Sequence, residues 1–323
     1  MKALLLKGPG RLDQENFTLP KPGPNEAVIE VEITGLGGSE TAALQNPGFR
    51  SLPSIMGHGI CGVNKEGQRV AIFPLSGCQS CSYCSDSQPQ LCNDWKLIGV
   101  QRYGGLAEQV IVPEDAVFEL PPSLSWEQAS FIEPFANAAN AWERAQPKPT
   151  DSVLIVGAGS VGLGLTAMAW DQGNRTVFVT DLSTSRQAAA SELGACRAAL
   201  SFEGEFDVVF DTVGSEATRS SCINQTRKNG TCVFLGFASQ FLDIDVSRII
   251  REQKTLIGSF VFSRYQLKKA MQLARHCRSE WVHNVSWDEV ADELGAYARG
   301  DFAPVKSAFR PSIANPPSAV RKE

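Results

Sequence analysis

Up to about residue 135 the hydrophobic positions come in short runs, ALLL, AVIEVEI, RVAIF, AEQVIV and AVFEL, broken by glycine, proline and charged residues. Such runs between turn formers predict β-strands, so this part reads as a β-rich, loop-rich lobe. From residue 136 the texture changes. ANAANAWERA, SVLIVGAG, GLTAMAWDQ, TVFVTD, SRQAAASELGA, DVVFDTVG and TCVFLGF alternate helix-type and strand-type patterns. Apolar strands separated by helical stretches predict a parallel sheet covered on both faces, an α/β doubly wound architecture. After KTLIGSFVF, near residue 261, a helical stretch SRYQLKKAMQLARH leads into a mixed segment ending at PVKSAFRP, read as a return to the first lobe. The predicted division is therefore 1–136 with 262–323 as one domain and 137–261 as the other. The last dozen residues, with Asn315, Pro316, Pro317 and a charged RKE end, read as a frayed tail.

Composition narrows the function. The 323 residues exceed the usual size of one core, which agrees with two domains. A net charge of -5 argues against a nucleic-acid partner, because neutralising phosphates needs a basic surface. A small-molecule substrate is expected instead. The start, MKALLLKGPGRL, has too short an apolar run for a signal peptide, and no segment reaches membrane-spanning length. The expectation is a soluble, cytoplasmic protein. Nine cysteines fit a reducing compartment better than a disulfide framework: four lie at metal spacing, and Cys61, Cys196, Cys222, Cys232 and Cys277 are scattered.

The four are Cys78, Cys81, Cys84 and Cys92, spaced C-x2-C-x2-C-x7-C inside a polar loop, residues 77–93. That spacing can place four thiolates around one zinc. With every position taken by sulfur, no coordination site is left for water or substrate, so the metal would organise backbone rather than do chemistry.

The run VLIVGAGSVGLG carries Gly157-x-Gly159-x-x-Gly162 between an apolar strand and a helical run. Gly157 permits the tight turn and Gly159 lets backbone amides, those of Ser160 and Val161 among them, approach a pyrophosphate. Gly162 allows close packing of helix on strand. Asp181, ending TVFVTD about 20 residues on, is placed to accept from both ribose hydroxyls, and a 2'-phosphate would meet its carboxylate. NAD(H) is favoured over NADP(H), although Arg175 and Arg186 lie near in sequence, and Arg186 is taken as a cofactor contact. Asp181 as a helix N-cap is the plainer reading, which Ser183 makes less needed. Asp211, Gly214 and Gly236 end later strands and are either ligand-edge or turn residues.

With these motifs on the page, the chain resembles the zinc-type medium-chain dehydrogenase/reductase superfamily of alcohol, sorbitol and threonine dehydrogenases. The order of signals matches over nearly the whole length: EITGLGGSE, GHGICGV, GQRV, the four-cysteine lobe, GGLAEQVIVP, a Glu-Pro before a helix, and the nucleotide fingerprint. The resemblance implies a GroES-like catalytic domain interrupted by a Rossmann domain, an active site in the cleft, and a homodimer or homotetramer. It also exposes two departures. Members with catalytic zinc carry Cys-Gly-Ser-Asp where this chain has Gly37-Gly38-Ser39-Glu40, and Gly-His-Glu where it has Gly57-His58-Gly59. Of the implied ligand positions, His58 and Glu133 remain. A catalytic zinc usually wants three protein ligands and an open position. The expectation is an NAD(H)-dependent oxidoreductase with one structural zinc and no catalytic zinc, of a kind that suits a specialised biosynthetic pathway.

Without that metal, hydrogen-bond donors must stabilise charge growing on the substrate. Ser39, His58 and Tyr103 are the candidate donors, with Glu133 beside them. The substrate is expected to be a small organic molecule with a polarised C=O, C=C or C=N bond, or an alcohol. Two other readings stay open: a zinc-dependent alcohol or polyol dehydrogenase that recruits Glu40 to an altered ligand set, and a catalytically silent nucleotide-binding protein.

Overall fold

A computed structural model describes residues 1–48, 50–301 and 304–313. They divide into two compact units. One comprises the described residues of Met1–Glu133, 278–301 and 306–313, the other Pro134–Cys277 with 304–305. The tail predicted over the last dozen residues falls, from 314 onward, outside the described residues.

The first unit is built on the expected β runs. The long strand Glu26–Leu36 pairs antiparallel with Gly59–Val63, with Gln109–Pro113 and with Lys306–Phe309. Arg69–Ile72 and Val117–Glu119 extend the sheet on one side and Val282–Val285 on the other, giving seven strands. A smaller sheet joins Lys2–Gly8 to Arg11–Asn16 and Ser54–Ile55. Two apolar clusters fill the unit. Ile29, Val31, Ile60, Val70, Val110 and Val112 lie in one, and Leu4, Leu6, Ile55, Met56, Leu106, Trp287 and Phe309 in the other. Alternation along Glu26–Leu36 directs Ile29, Val31 and Ile33 inward, and each is buried. Short helix α1 spans Gly38–Gln45, and helix α2 spans Ile132–Ala145.

The second unit is a six-stranded parallel sheet. Its strands are β1 (Val153–Val156), β2 (Val177–Thr180), β3 (Arg197–Ala199), β4 (Phe206–Asp211), β5 (Thr226–Phe234) and β6 (Thr255–Gly258). The spatial order β3-β2-β1-β4-β5-β6 reverses direction at β1, the switch point at which dinucleotides bind in such sheets. Helix α3, Ser160–Asp171, follows β1.

The boundaries differ from those expected. Helix α4, Arg264–Ala274, was assigned by sequence to the first domain but belongs to the second unit. Its Lys269 pairs with Asp171 of α3 at 2.7 Å, and its Gln266 donates to Glu143 of α2 at 2.6 Å. The return to the first unit comes at Arg278 rather than at 262. The start moves too, from 137 to Pro134, because α2 begins before the apolar stretch that signalled it.

Candidate functional site

His58 sits between Ile55 and the strand Gly59–Val63, on a loop that glycine alone can make. Gly57 has φ +94°, and a Cβ there would lie 2.7 Å from the Thr34 side chain. This tight turn presents the imidazole between two carboxylates. Nδ1 lies 2.8 Å from Glu40 Oε1, and Nε2 lies 3.6 Å from Glu133 Oε1. The Glu40 contact is close but not aligned along an N–H direction, and neither atom has another hydrogen-bond partner. It is an ion-pair contact between groups whose side chains are 13% and 3% exposed.

Each carboxylate is positioned by a helix. Glu40 is the third residue of α1, and its other oxygen accepts from the Gly37 amide at 3.1 Å, a capping arrangement that ties it to the helix start. Glu133 lies in the first turn of α2, where acidic groups suit the helix dipole. Burial lowers the affinity of His58 for its proton, yet the charges of Glu40 and Glu133 outweigh it and raise the pKa to about 9. For Glu40, burial acts upward, and the His58 charge with its contact overrides it, leaving the carboxyl below the usual range. Folded His58 keeps its proton to about pH 9 where an exposed imidazole loses it near 6.5. This stabilisation of the fold is therefore complete below 6.5 and disappears as pH rises through 9.

The vacated positions have room. A Cβ on Gly37 would approach nothing closer than 3.9 Å, and one on Gly59 would stand 3.5 Å from Glu133 Cβ. Packing does not impose glycine at either place. The carboxylates meet opposite ring nitrogens instead of converging on one point. Among the described residues, the four cysteines are the only group of three or more ligand types gathered closely enough for a metal.

Their sulfurs all lie within 4.8 Å of one another, and the four are unbridged. Cys92 Sγ accepts from the amides of Cys78 and Asp94, each at 3.3 Å. Hydrogen bonds from Ser80 and from the Ser80 and Cys81 amides bring the Cys78 thiol down to about 6. Desolvation, and then the neighbouring sulfurs, push Cys84 up to about 12. Sulfurs this close resist becoming thiolates together without a cation among them, and a zinc ion would answer that need. The donor set thus fits a structural zinc held by Cys78, Cys81, Cys84 and Cys92.

The nucleotide motif also fits its ligand. Gly157 has φ +97°, and a Cβ on Gly162 would sit 1.8 Å from the Gly157 carbonyl, so helix and loop are pressed together. A Cβ on Gly159, by contrast, would meet nothing within 4 Å. The start of α3 therefore faces open space, with the amides of Ser160, Val161 and Gly162 in its first turn, where a pyrophosphate would bind. Asp181 Oδ2 accepts from the Ala158 amide at 2.7 Å and Oδ1 from Ser183 at 2.8 Å. The helix that follows is capped by Ser183, so Asp181 is not its N-cap.

Four residues weighed for the site lie in other surroundings. Arg186 is buried, with Nε donating to the Pro304 carbonyl at 3.3 Å, so it braces the fold and is not presented to a cofactor. Arg175 lies over the Trp170 ring at 3.7 Å. Tyr103 packs edge-on against Phe17, with ring centroids 5.0 Å apart. Ser39 is exposed in the first turn of α1 and makes no hydrogen bond to His58. Asp211 Oδ1 accepts from the Val213 and Gly214 amides, which makes it a turn-shaping residue. The sequence offers Glu40 only as a substitute metal ligand; its place three residues after Gly37 suits capping but does not signal the approach to His58.

A two-unit chain with a dinucleotide-type sheet, a β-rich unit carrying a titratable centre and a four-cysteine lobe defines a nucleotide-dependent oxidoreductase. Residues 23–122 match the alcohol dehydrogenase GroES-like domain and residues 160–276 the zinc-binding dehydrogenase domain. The chain belongs to the zinc-type medium-chain dehydrogenase/reductase superfamily, and it is an oxidoreductase of that type. It is 31% identical over 284 residues to L-galactonate-5-dehydrogenase of Escherichia coli K12, covering 80% of this chain and 83% of that one. It is 28% identical over 290 residues to L-idonate 5-dehydrogenase of Vitis vinifera, covering 80% and 79%. A short chain alcohol dehydrogenase from Escherichia coli CFT073, solved with NADH, shares the fold with a TM-score of 0.85 at 23% identity, over 96% of this chain and 99% of that one. No helix among the described residues is long and apolar enough to cross a membrane.

Proposed function

We propose that this protein interconverts a secondary alcohol and its ketone on a polyhydroxylated small molecule, with NAD(H) as the redox partner and His58 as the acid or base in place of a catalytic zinc. One structural zinc is held by the cysteine lobe. The observation that carries this reading is the Glu40–His58–Glu133 arrangement. Both carboxylates serve the imidazole from opposite edges, which stabilises an imidazolium and offers a metal no converging ligand set. The relatives named for polyol acids support the substrate class, and the engagement of Arg175 and Arg186 elsewhere supports NAD(H) over NADP(H). Assembly as a homodimer or homotetramer belongs to the same proposal.

NADH, when bound, supplies a hydride to the carbonyl carbon. His58 delivers the matching proton to the carbonyl oxygen from Nε2, because 3.6 Å to Glu133 is too long for that N–H to be held in a hydrogen bond. Glu40 stays ionised and stabilises the imidazolium by its charge, 2.8 Å from Nδ1. In the oxidative direction neutral His58 would take the hydroxyl proton, and NAD+ held at the Gly157–Gly162 turn would serve as the hydride acceptor. Protons and electrons balance in both directions.

The sign of the pH dependence follows. Reduction needs protonated His58, so its kcat with NADH is expected to be level through neutrality and to fall as pH rises through about 9. Oxidation with NAD+ is expected to rise over the same range. Steady-state profiles in both directions with a ketose–polyol pair test this. A reductive limb unchanged to pH 10 would remove His58 from the proton path. NADH binding without turnover of any ketone, enone or quinone would favour the silent nucleotide-binding reading instead.

A further inference from the structure

Arg50 is a half-buried cation that the chemistry above does not use. Its Nε donates to the Gly99 carbonyl at 3.2 Å and Nη1 reaches the Pro47 carbonyl at 3.4 Å, while Nη2 bonds to none of the described residues. No carboxylate among the described residues pairs with it at ion-pair distance. A guanidinium has five N–H donors in a rigid fork, so most of this one's capacity is unspent. Removing such a charge from water without a counter-ion is costly.

Its anchor places it near the reacting group. Gly99 is pressed so tightly on Gly57 that a Cβ there would lie 2.7 Å from the Gly57 carbonyl, and Gly57 immediately precedes His58. Arg50 is thus tied through Gly99 to the turn that presents the imidazole. Its charge is felt at both His58 and Glu40, yet it bonds neither. Glu40 is already committed to the Gly37 amide and to His58, so it is not the missing partner.

We propose that Arg50 is the anion anchor of the substrate pocket, and that the substrate is a polyol acid whose carboxylate takes the free edge of the guanidinium while a secondary hydroxyl meets His58. Planar, bidentate carboxylate recognition is the geometry this fork suits. The anion would complete the charge balance of the loop, and a neutral polyol would leave the cation half-buried and unpaired. The proposal presupposes the hydride-transfer reading and names the end of the molecule that fixes its register.

The test compares hexonates with hexitols of matching configuration, L-idonate with L-iditol and L-galactonate with galactitol, using NAD+ and the full chain. Wild-type protein is expected to prefer the hexonate in kcat/KM. In Arg50→Gln the hexonate-to-hexitol ratio is expected to fall by about 10–100-fold, the scale of a lost charge-assisted pair, and to do so through KM. Arg50→Lys, which keeps charge but not the fork, should recover part of it. Calorimetric binding of L-idonate to the NADH-loaded protein, where oxidation cannot proceed, separates the two readings. Arg50-dependent binding without turnover in the NAD+ assay would support the anchor and contradict the hydride-transfer reading. Turnover with a ratio unchanged by Arg50→Gln, or equal losses on acid and neutral substrates, would overturn the anchor and leave that reading standing.

Discussion

Replacing His58 by glutamine is expected to lower kcat for ketone reduction by about 10²–10⁴-fold, the range that a positioned acid contributes. Glutamine is of similar length and keeps a hydrogen-bond donor, but it has no proton to transfer at accessible pH. The loss should therefore be chemical and not steric. Glu40 and Glu133 flank the ring at 2.8 and 3.6 Å, and glutamine would remove the titrating cation between them. The variant should accordingly lose the limb near pH 9, while its affinity for NADH, titrated by fluorescence, stays near wild type. A His58→Gln protein that retained wild-type kcat would show that the proton passes elsewhere.

Cys92→Ser is expected to abolish stoichiometric zinc binding and to melt the lobe 77–93. Cys92 is the buried member of the set, and its sulfur accepts the Cys78 and Asp94 amides that close the loop. Serine offers a poor zinc ligand and a shorter reach. Structural zinc sites contribute their binding energy directly to folding, so affinity should fall by more than the roughly 10–100-fold that outer-shell changes alone cause. A lower thermal midpoint, together with zinc found in the low-molecular-weight fraction after desalting, would record this. NADH binding should persist, because its determinants lie on the separate unit Pro134–Cys277. A variant that kept its zinc and midpoint but lost turnover would assign the lobe a role in chemistry instead.

Much of this architecture is written in local patterns. The Gly157-x-Gly159-x-x-Gly162 run and the cysteine spacing each specify a contact made within a few residues or across one strand–helix unit: Gly157 takes a positive φ, Gly162 packs on the Gly157 carbonyl and the four sulfurs gather within 4.8 Å, whereas both Asp181 oxygens accept from backbone amides. Unit boundaries were less visible. Helix α4 has the same amphipathic texture whichever unit it packs on, and only Lys269 meeting Asp171 and Gln266 meeting Glu143 decide the matter. The strands Val282–Val285 and Lys306–Phe309 were missed because they are short and find their partners in the long strand near the N-terminus and in each other.

The candidate site divides in the same way. Glycine at positions 37 and 59 was readable, as was the survival of His58 and Glu133. That Glu40 folds back from its capping position onto His58 depends on a contact between loop and helix that spacing does not announce. The same holds for Arg186, which looked like a cofactor residue in sequence but turns to the Pro304 carbonyl. Arg50 carries no motif at all. Its interest comes from a guanidinium tied through Gly99 to the His58 turn with one edge free among the described residues.

The central claim is that zinc builds this protein while His58 handles the proton. The zinc content of fully active, desalted protein tests it most directly. One zinc per chain, retained with full turnover, is the predicted result. Two zincs per chain, with activity lost in proportion to removal of the second, would contradict it.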